Sequence, residues 1–335
     1  MGVTAVVNQK GGVGKTTVTL GLAAAAAADG RRVLVIDLDP QANSTTGLGV
    51  WDAERTVDHA LEGETPGSLR TVVRRSGWED RPGVAPVDVV PSSPRLAQRE
   101  HQLAMDVIGA QDRLAVAAEG LVDDYDEVII DCPPSLGLLT VNALFAADRV
   151  LIVAEPAAWS ADGVEQILRN IGRIAERRGG RPSVAGIVVN RLGRTRDATY
   201  WAGQLRELHP DMVLDPAIRL RAAVAEAAAQ STPVHALTRD GAAEAAGEFD
   251  GLGRALGMVL SAAPIVDPDR SSVADAPAPD APAPEVPAPE ATAPGVTGLD
   301  AAAPEEPGFT ATALDATDPP PTVSVPPVST TTGEL

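Results

Sequence analysis

Lysine is nearly missing from this chain. Of 27 basic residues among 335, 25 are arginine, and the two lysines, Lys10 and Lys15, fall within one eight-residue stretch. A retained ammonium marks places where a compact charge on a flexible stem is needed and a planar guanidinium fork is not. Cysteine is scarcer still. Cys132 stands alone, so no intramolecular disulfide can form, no thiolate set for an iron–sulfur cluster exists, and a reducing cytosol is implied. Following an aspartate at the end of an apolar run, it reads as a small core residue. The four histidines, His59, His101, His209 and His235, have no metal-ligand spacing. The apolar stretch Leu20 to Ala28 is too short to span a bilayer and fits a buried helix. No secretory leader is expected, because a glycine-rich stretch occupies the place of a basic n-region.

Positive charge is also short: 46 acids outnumber the 27 bases and leave a net −19. The excess is uneven. Ala263 to Leu335 holds 16 of the 29 prolines and 12 acids against Arg270 alone, so 11 of the 19 net negative charges fall there and 8 on residues 1–262. Its Ala-Pro-Asp-Ala-Pro-Ala-Pro-Glu run favours extended polyproline II and like-charge repulsion, and cannot bury a core. The expected organisation is one α/β domain over 1–262 and a disordered, acidic Pro/Ala-rich tail over 263–335. An acidic, proline-rich C-terminus lacks the basic amphipathic helix that would hold a membrane surface, so no membrane partner is expected.

What is present begins with Lys10-Gly-Gly-Val-Gly-Lys-Thr-Thr17, a variant P-loop that fits Gly-x4-Gly-Lys-Thr if Gln9 stands for the first glycine. The apolar strand Val3 to Val7 delivers the chain to a turn whose backbone N–H groups can close round phosphate oxygens. A helix starting near Lys15 or Thr16 turns its positive end to the same anion. Gly11, Gly12, Val13, Gly14, Lys15, Thr16 and Thr17 are therefore the candidate nucleotide cradle. Lys15 suits the bridge between β- and γ-phosphates, and the Thr16 hydroxyl suits Mg²⁺.

Arg32 to Gln41 reads as a buried strand ending in Asp37 and Asp39, acids two apart and so on one face. Glu127 to Ser135 contains a second such strand ending in Asp131, the placement of a carboxylate that holds Mg²⁺ through water. Further strands are expected at Asp88–Pro91, 149–155 and 183–190, with a short one ending at Asp215-Pro216. Short helical matter is expected over 56–75, and helical stretches over 94–120 and 162–178, the last with Val164, Ile167, Leu168, Ile171, Ile174 and Ala175 at the 3.6 period. Alternation of this kind implies a doubly wound, mainly parallel sheet with helices on both faces and ligands at the C-terminal strand ends.

The Lys-Gly-Gly-x-Gly-Lys-Thr box, with Asp-Leu-Asp-Pro-Gln at 37–41, resembles the deviant Walker A signature of the ParA/MinD superfamily, in the short ParA form without an N-terminal helix-turn-helix. That resemblance implies that Lys10 crosses to the nucleotide of a second subunit, so that ATP is held in a homodimer. It implies that Asp37 serves the Mg²⁺ shell and that Asp39 orients the attacking water. Family members commonly continue with Gly-Asn, where this chain has Ala42-Asn43. Asn190 and Pro216 match positions beside the adenine. Arg219, in an arginine-leucine pair before an alanine-rich helix, resembles a residue for nonspecific DNA binding, and Arg191, Arg194, Arg196, Arg206 and Arg221 would add to its patch. A net −8 repels a polyanion unless the positive field is local.

The activity implied is slow ATP hydrolysis, stimulated by a ParB-like partner, that positions chromosome, plasmid or other large cargo in a cytoplasmic, nucleoid-associated setting. A MinD-like positioning ATPase and a small-molecule P-loop enzyme are the alternatives.

Overall fold

The computed structural model describes residues 2–78, 86–106, 108–158 and 160–260, with the backbone alone at 160–162. The tail expected over 263–335 lies outside the described residues.

Among the described residues seven strands are interleaved with helices, the third and fourth alone following each other directly. In order they are β1 (Gly2–Val7), α1 (Lys15–Ala28), β2 (Val33–Asp37), α2 (Asn43–Gly47), α3 (Val57–Ala60), β3 (Arg74–Arg75), β4 (Val87–Val90), α4 (Arg95–Leu103) and α5 (Arg113–Ala118). Then follow β5 (Glu127–Asp131), α6 (Leu138–Ala146), β6 (Arg149–Ala154), α7 (Ser160–Arg177), β7 (Ser183–Val189), α8 (Arg196–Leu208), α9 (Ala222–Ala229) and α10 (Ala242–Ala255). The sheet order is β3-β4-β2-β5-β1-β6-β7, parallel throughout except for β3 against β4.

The central strands are continuous apolar runs because both faces are covered. Alternate residues divide between two cores, as the period of two requires. Val3, Ala5, Leu34, Ile36, Val128, Ile130 and Ile152 face α6 and α7 through Leu139, Ala143, Val164 and Ile171. Val6, Val33, Val35, Ile129, Leu151 and Val153 face α1 and α10 through Leu22, Ala24, Phe249 and Leu252. Five consecutive alanines, Ala23 to Ala27, are buried in α1, so this helix can lie close to the sheet. At Gly21 a Cβ would stand 2.2 Å from the Phe249 ring, so any side chain there would force α1 and α10 apart.

The short helical matter expected over 56–75 is α3 and one 3-10 turn (Ser68–Thr71), followed by the unforeseen edge strand β3, which has two arginines and no apolar alternation to reveal it. Two other sequence expectations need correction. The 94–120 stretch divides into α4 and α5 around Gly109, whose φ of +81° no right-handed helix accepts. The strand expected before Asp215 is a single bridge, Val213 beside Ile187, where the Leu214 side chain packs on the backbone of Gly186 in the space a Cβ would fill.

Since β1, β2 and β5 run in parallel, their C-terminal ends emerge on one edge of the sheet. Asp37 and Asp131 are direct register partners there.

Candidate nucleotide site

Bonds within the chain fix the P-loop. Asn8 anchors its entry, donating from Nδ2 to the Val153 carbonyl and accepting the Lys10 N–H at 2.7 Å. Gly12 and Gly14 adopt φ of +79° and +88°, and at Gly14 a Cβ would sit 2.2 Å from Asn190 Nδ2, so only glycine fits. Gly14 brings no side-chain cap to α1, which leaves the first-turn N–H groups available to an anion.

Gly11, Gly12, Gly14, Lys15, Thr16, Thr17, Asp39, Gln41, Asn43 and Asn190 line a cavity of about 530 Å³. Val13 is buried behind it and accepts from Asn190 Nδ2 at 2.7 Å. Lys15 is 6% exposed. Burial lowers its ammonium below the ordinary value, and the Asp131 charge works in the opposite direction.

Asp37 and Asp131 lie beneath this cavity, fully buried side by side. Asp131 Oδ2 accepts two hydroxyls, from Thr16 and Ser44, each at 2.7 Å, and Oδ1 accepts Thr19 at 3.4 Å. Asp37 Oδ2 accepts the Thr45 N–H at 2.8 Å and its hydroxyl at 2.7 Å, while Oδ1 accepts the Asp39 N–H at 3.1 Å. Burial, then the Asp131 charge, raises the Asp37 carboxyl; burial likewise raises Asp131, opposed by Ser44, Thr16 and Lys15. Two adjacent carboxylates and a ring of hydroxyls form a hard oxygen donor set, which fits a small divalent cation, with the Lys15 ammonium beside it placed for phosphate. Among the described residues no group of three or more His, Cys, Asp and Glu is placed to hold a metal by itself.

Asp39 borders the cavity, its Oδ1 accepting the Gln41 N–H at 2.9 Å. Ala42 takes φ +55°, so the turn that glycine would make freely is kept at a cost of about 1–2 kcal/mol. Cys132 is buried and its thiol is pushed up by burial, as a core residue.

The remaining sequence candidates stand outside the cavity or at its mouth. Lys10 lies outside the cavity, in a shallow cleft with Pro134, Ser135 and Leu136, and its ammonium meets Glu155 at 3.4 Å. Pro216 also lies outside, packed on Gly251 of α10. Arg219 and Arg221 border the cavity mouth, but Glu248 accepts from both, from the Arg219 N–H at 3.0 Å and from Arg221 Nη2 at 2.7 Å. Arg206 is held by Asp215 through two bonds of 3.0 and 2.6 Å, whereas Arg194 and Arg196 stay exposed.

Sequence reasoning missed Ser44, Thr45 and Thr19, while Arg191, expected in the patch around Arg219, donates from Nη1 to the Gly12 carbonyl of the P-loop at 2.7 Å. The hydroxyl run Ser44-Thr45-Thr46 after the acid box was the available signal. It acquires meaning only once α2 folds back under the carboxylates. Among the described residues no helix is long and apolar enough to cross a membrane.

Comparison with known proteins agrees with this geometry. The family model described as "AAA domain" matches residues 1–183. The sporulation initiation inhibitor protein Soj of Bacillus subtilis is 34% identical over 233 residues, covering 69% of this chain and 88% of its own length. The chromosome partitioning protein ParA of Caulobacter vibrioides is 37% identical over 237 residues, covering 69% of this chain and 85% of its own. Among solved structures, cobyrinic acid a,c-diamide synthase from Mycobacterium smegmatis with bound ATP analog and magnesium superposes with a TM-score of 0.60 at 31% identity, over 75% of this chain and 94% of that one. With a P-loop, a buried carboxylate pair on neighbouring strands and relatives matched over most of their length, the chain belongs to the ParA/MinD family of P-loop ATPases.

Proposed function

We propose that this ATPase is a nucleotide-switched homodimer that positions DNA or another large cargo. The observation that carries the reading is the divergence of the two lysines. Lys15 is buried in its own cavity, while the Lys10 side chain is 59% exposed, turned out of that cavity and held among the described residues by a surface ion pair with Glu155. An exposed pair of this kind is worth about 0–1 kcal/mol, so Lys10 is free to find a better anion on a second copy of the chain.

In this reading ATP lies along Gly11 to Thr17, with Lys15 on its phosphates and Asn190 on the adenine side. Thr16, Asp37 and Asp131 would hold Mg²⁺, directly or through water, and the ion when bound neutralises phosphate charge. Asp39, at the cavity wall, would orient the attacking water. Pro216, one layer behind, would support the adenine side through its contact with α10. Turnover is slow until a ParB-like activator binds, and the setting is the cytoplasm and its nucleoid. Nonspecific duplex would be held by Arg219 with Arg194 and Arg196 once two subunits align their patches, because a core of net −8 needs a local positive field.

The similarity to a diamide synthase supports a second reading, a P-loop enzyme acting on a small metabolite. Dimerisation separates the two. Light scattering with ATP should give a dimer for the wild type, an ATP-bound monomer for Lys10→Ala and no nucleotide binding for Lys15→Ala. Arg219→Glu should keep the dimer and lose ATP-dependent duplex binding in a filter assay. A Lys10→Ala protein that dimerises normally on ATP removes the crossing role and moves the small-metabolite reading ahead.

A further inference from the structure

The five-residue helix α2 is tied at both ends, and the ties run in opposite directions. Inward, Ser44 holds Asp131 and Thr45 holds Asp37. Outward, the Thr46 carbonyl accepts from Ser231 Oγ at 2.7 Å, and the Gly47 carbonyl accepts from Trp78 Nε1 at 3.1 Å. The same indole N–H is shared with the Ser231 carbonyl, also at 3.1 Å. Ser231 follows the end of α9, whose Val224, Ala225 and Ala228 form a wall of the nucleotide cavity and whose start adjoins Arg219–Arg221. Hydrogen bonds thus join the carboxylate pair through α2 to Ser231, from which α9 leads back to the arginine segment.

Two features of that connection are costly for packing alone. Ser231 sits at φ +46°, a region that favours glycine, so the backbone is strained in a position where its hydroxyl makes the bond to α2. Trp78 is 1% exposed, and a buried indole N–H needs an acceptor that a phenyl ring in the same space would not. Both residues are of the type that makes the bond rather than the type that best suits the fold.

We propose that Ser231 and Trp78 are positioning residues for the ATPase site, acting through α2. They fix the carboxylate pair against α9 and carry the occupancy of the pair to the arginine segment. This rests on the Mg²⁺-nucleotide reading of the site.

The test uses the full chain with Ser231→Gly and Trp78→Phe. Ser231→Gly removes the hydroxyl and relieves the positive φ, so a merely structural role predicts a protein equal to or better than wild type in every assay. Binding of a fluorescent ATP analogue is titrated with Mg²⁺, turnover is measured at saturating Mg²⁺-ATP, and thermal melting is recorded. Ser231→Gly should melt at or above the wild-type temperature. Its Mg²⁺ half-saturation should nevertheless rise roughly threefold to tenfold, somewhat less than the usual effect of removing a direct partner of a metal ligand. kcat should fall while nucleotide affinity without Mg²⁺ is unchanged. Hydrogen exchange of residues 219–230 should slow on Mg²⁺-ATP in the wild type and respond less in both variants. Trp78→Phe should repeat the Mg²⁺ shift even if its melting point drops. Variants with the wild-type Mg²⁺ response and the wild-type exchange response overturn the proposal. A wild type whose nucleotide binding ignores Mg²⁺ overturns the reading of the site itself.

Discussion

β5 carries a buried acid at each end, and the fold treats the two in opposite ways. At the N-terminal end Glu127 is met by two guanidiniums, Arg31 at 2.8 Å and Arg149 at 3.1 Å. Arg149 goes on to bond the Thr4 hydroxyl at 2.8 Å and the Leu256 carbonyl at 2.6 Å, so that end is closed by the chain's own cations. At the C-terminal end, four residues later, Asp131 has hydroxyls and one lysine, and its neighbour across the register is another carboxylate. Burial raises both acids, but only the second faces like charge from Asp39. One end is electrostatically finished and holds the fold. The other is left short of positive charge, which a cation from solution can supply.

The contrast predicts that substitutions at the nucleotide end change function with little loss of stability, and that those at the far end do the reverse. The largest effect expected is on turnover. Asp39→Ala should lower ATP hydrolysis by roughly two orders of magnitude or more while keeping the ATP-bound dimer, since loss of a water-positioning group acts on the chemical step. A phosphate-release assay beside light scattering measures both, and unchanged turnover would remove Asp39 from that role.

At the other end, Arg149→Met keeps the apolar stem but leaves Glu127 with Arg31 alone and strands two polar partners. The expected loss is about 2 kcal/mol in urea unfolding, with nucleotide affinity unchanged. A matching fall in affinity would mean that the two ends are not independent.

The smallest effect concerns pH in nucleotide-free protein. Asp37 and Asp131 have folded-state values above the ordinary 3.8, so the folded pair keeps protons that the unfolded chain releases. The stability this contributes is complete on the acid side. It is lost as pH rises from the ordinary carboxylate range through the raised folded values towards neutrality. Asp37→Asn should flatten that slope and stabilise the nucleotide-free protein at neutral pH, while weakening its response to Mg²⁺. Denaturant midpoints measured from pH 5 to pH 8 decide the matter, and a slope of the opposite sign would contradict the picture of an uncompensated pair.

Much of this protein is determined locally and could be read along the chain. Glycines needing positive φ, the two lysines and the unbroken apolar runs each owe their form to neighbours a few residues away. Strand, P-loop, helix and the acids at strand ends therefore follow from short-range rules, and so does the doubly wound class. The edge strand β3 and the break at Gly109 escaped because two charged residues or one turn leave no periodic signal.

Tertiary structure alone decided which groups meet. Asp37 and Asp131 become neighbours only because β2 and β5 pair in parallel, although 94 residues separate them. Ser44 and Thr45 become their partners only because α2 folds beneath the cavity, and Trp78 reaches Ser231 across 153 residues. The alignment of Arg219 and Arg221 on one glutamate, Glu248, depends on where α10 packs. The physical reason is the same in each case: backbone preference acts over a few residues, whereas a charge or hydroxyl finds its partner through space, once burial has excluded water as the alternative.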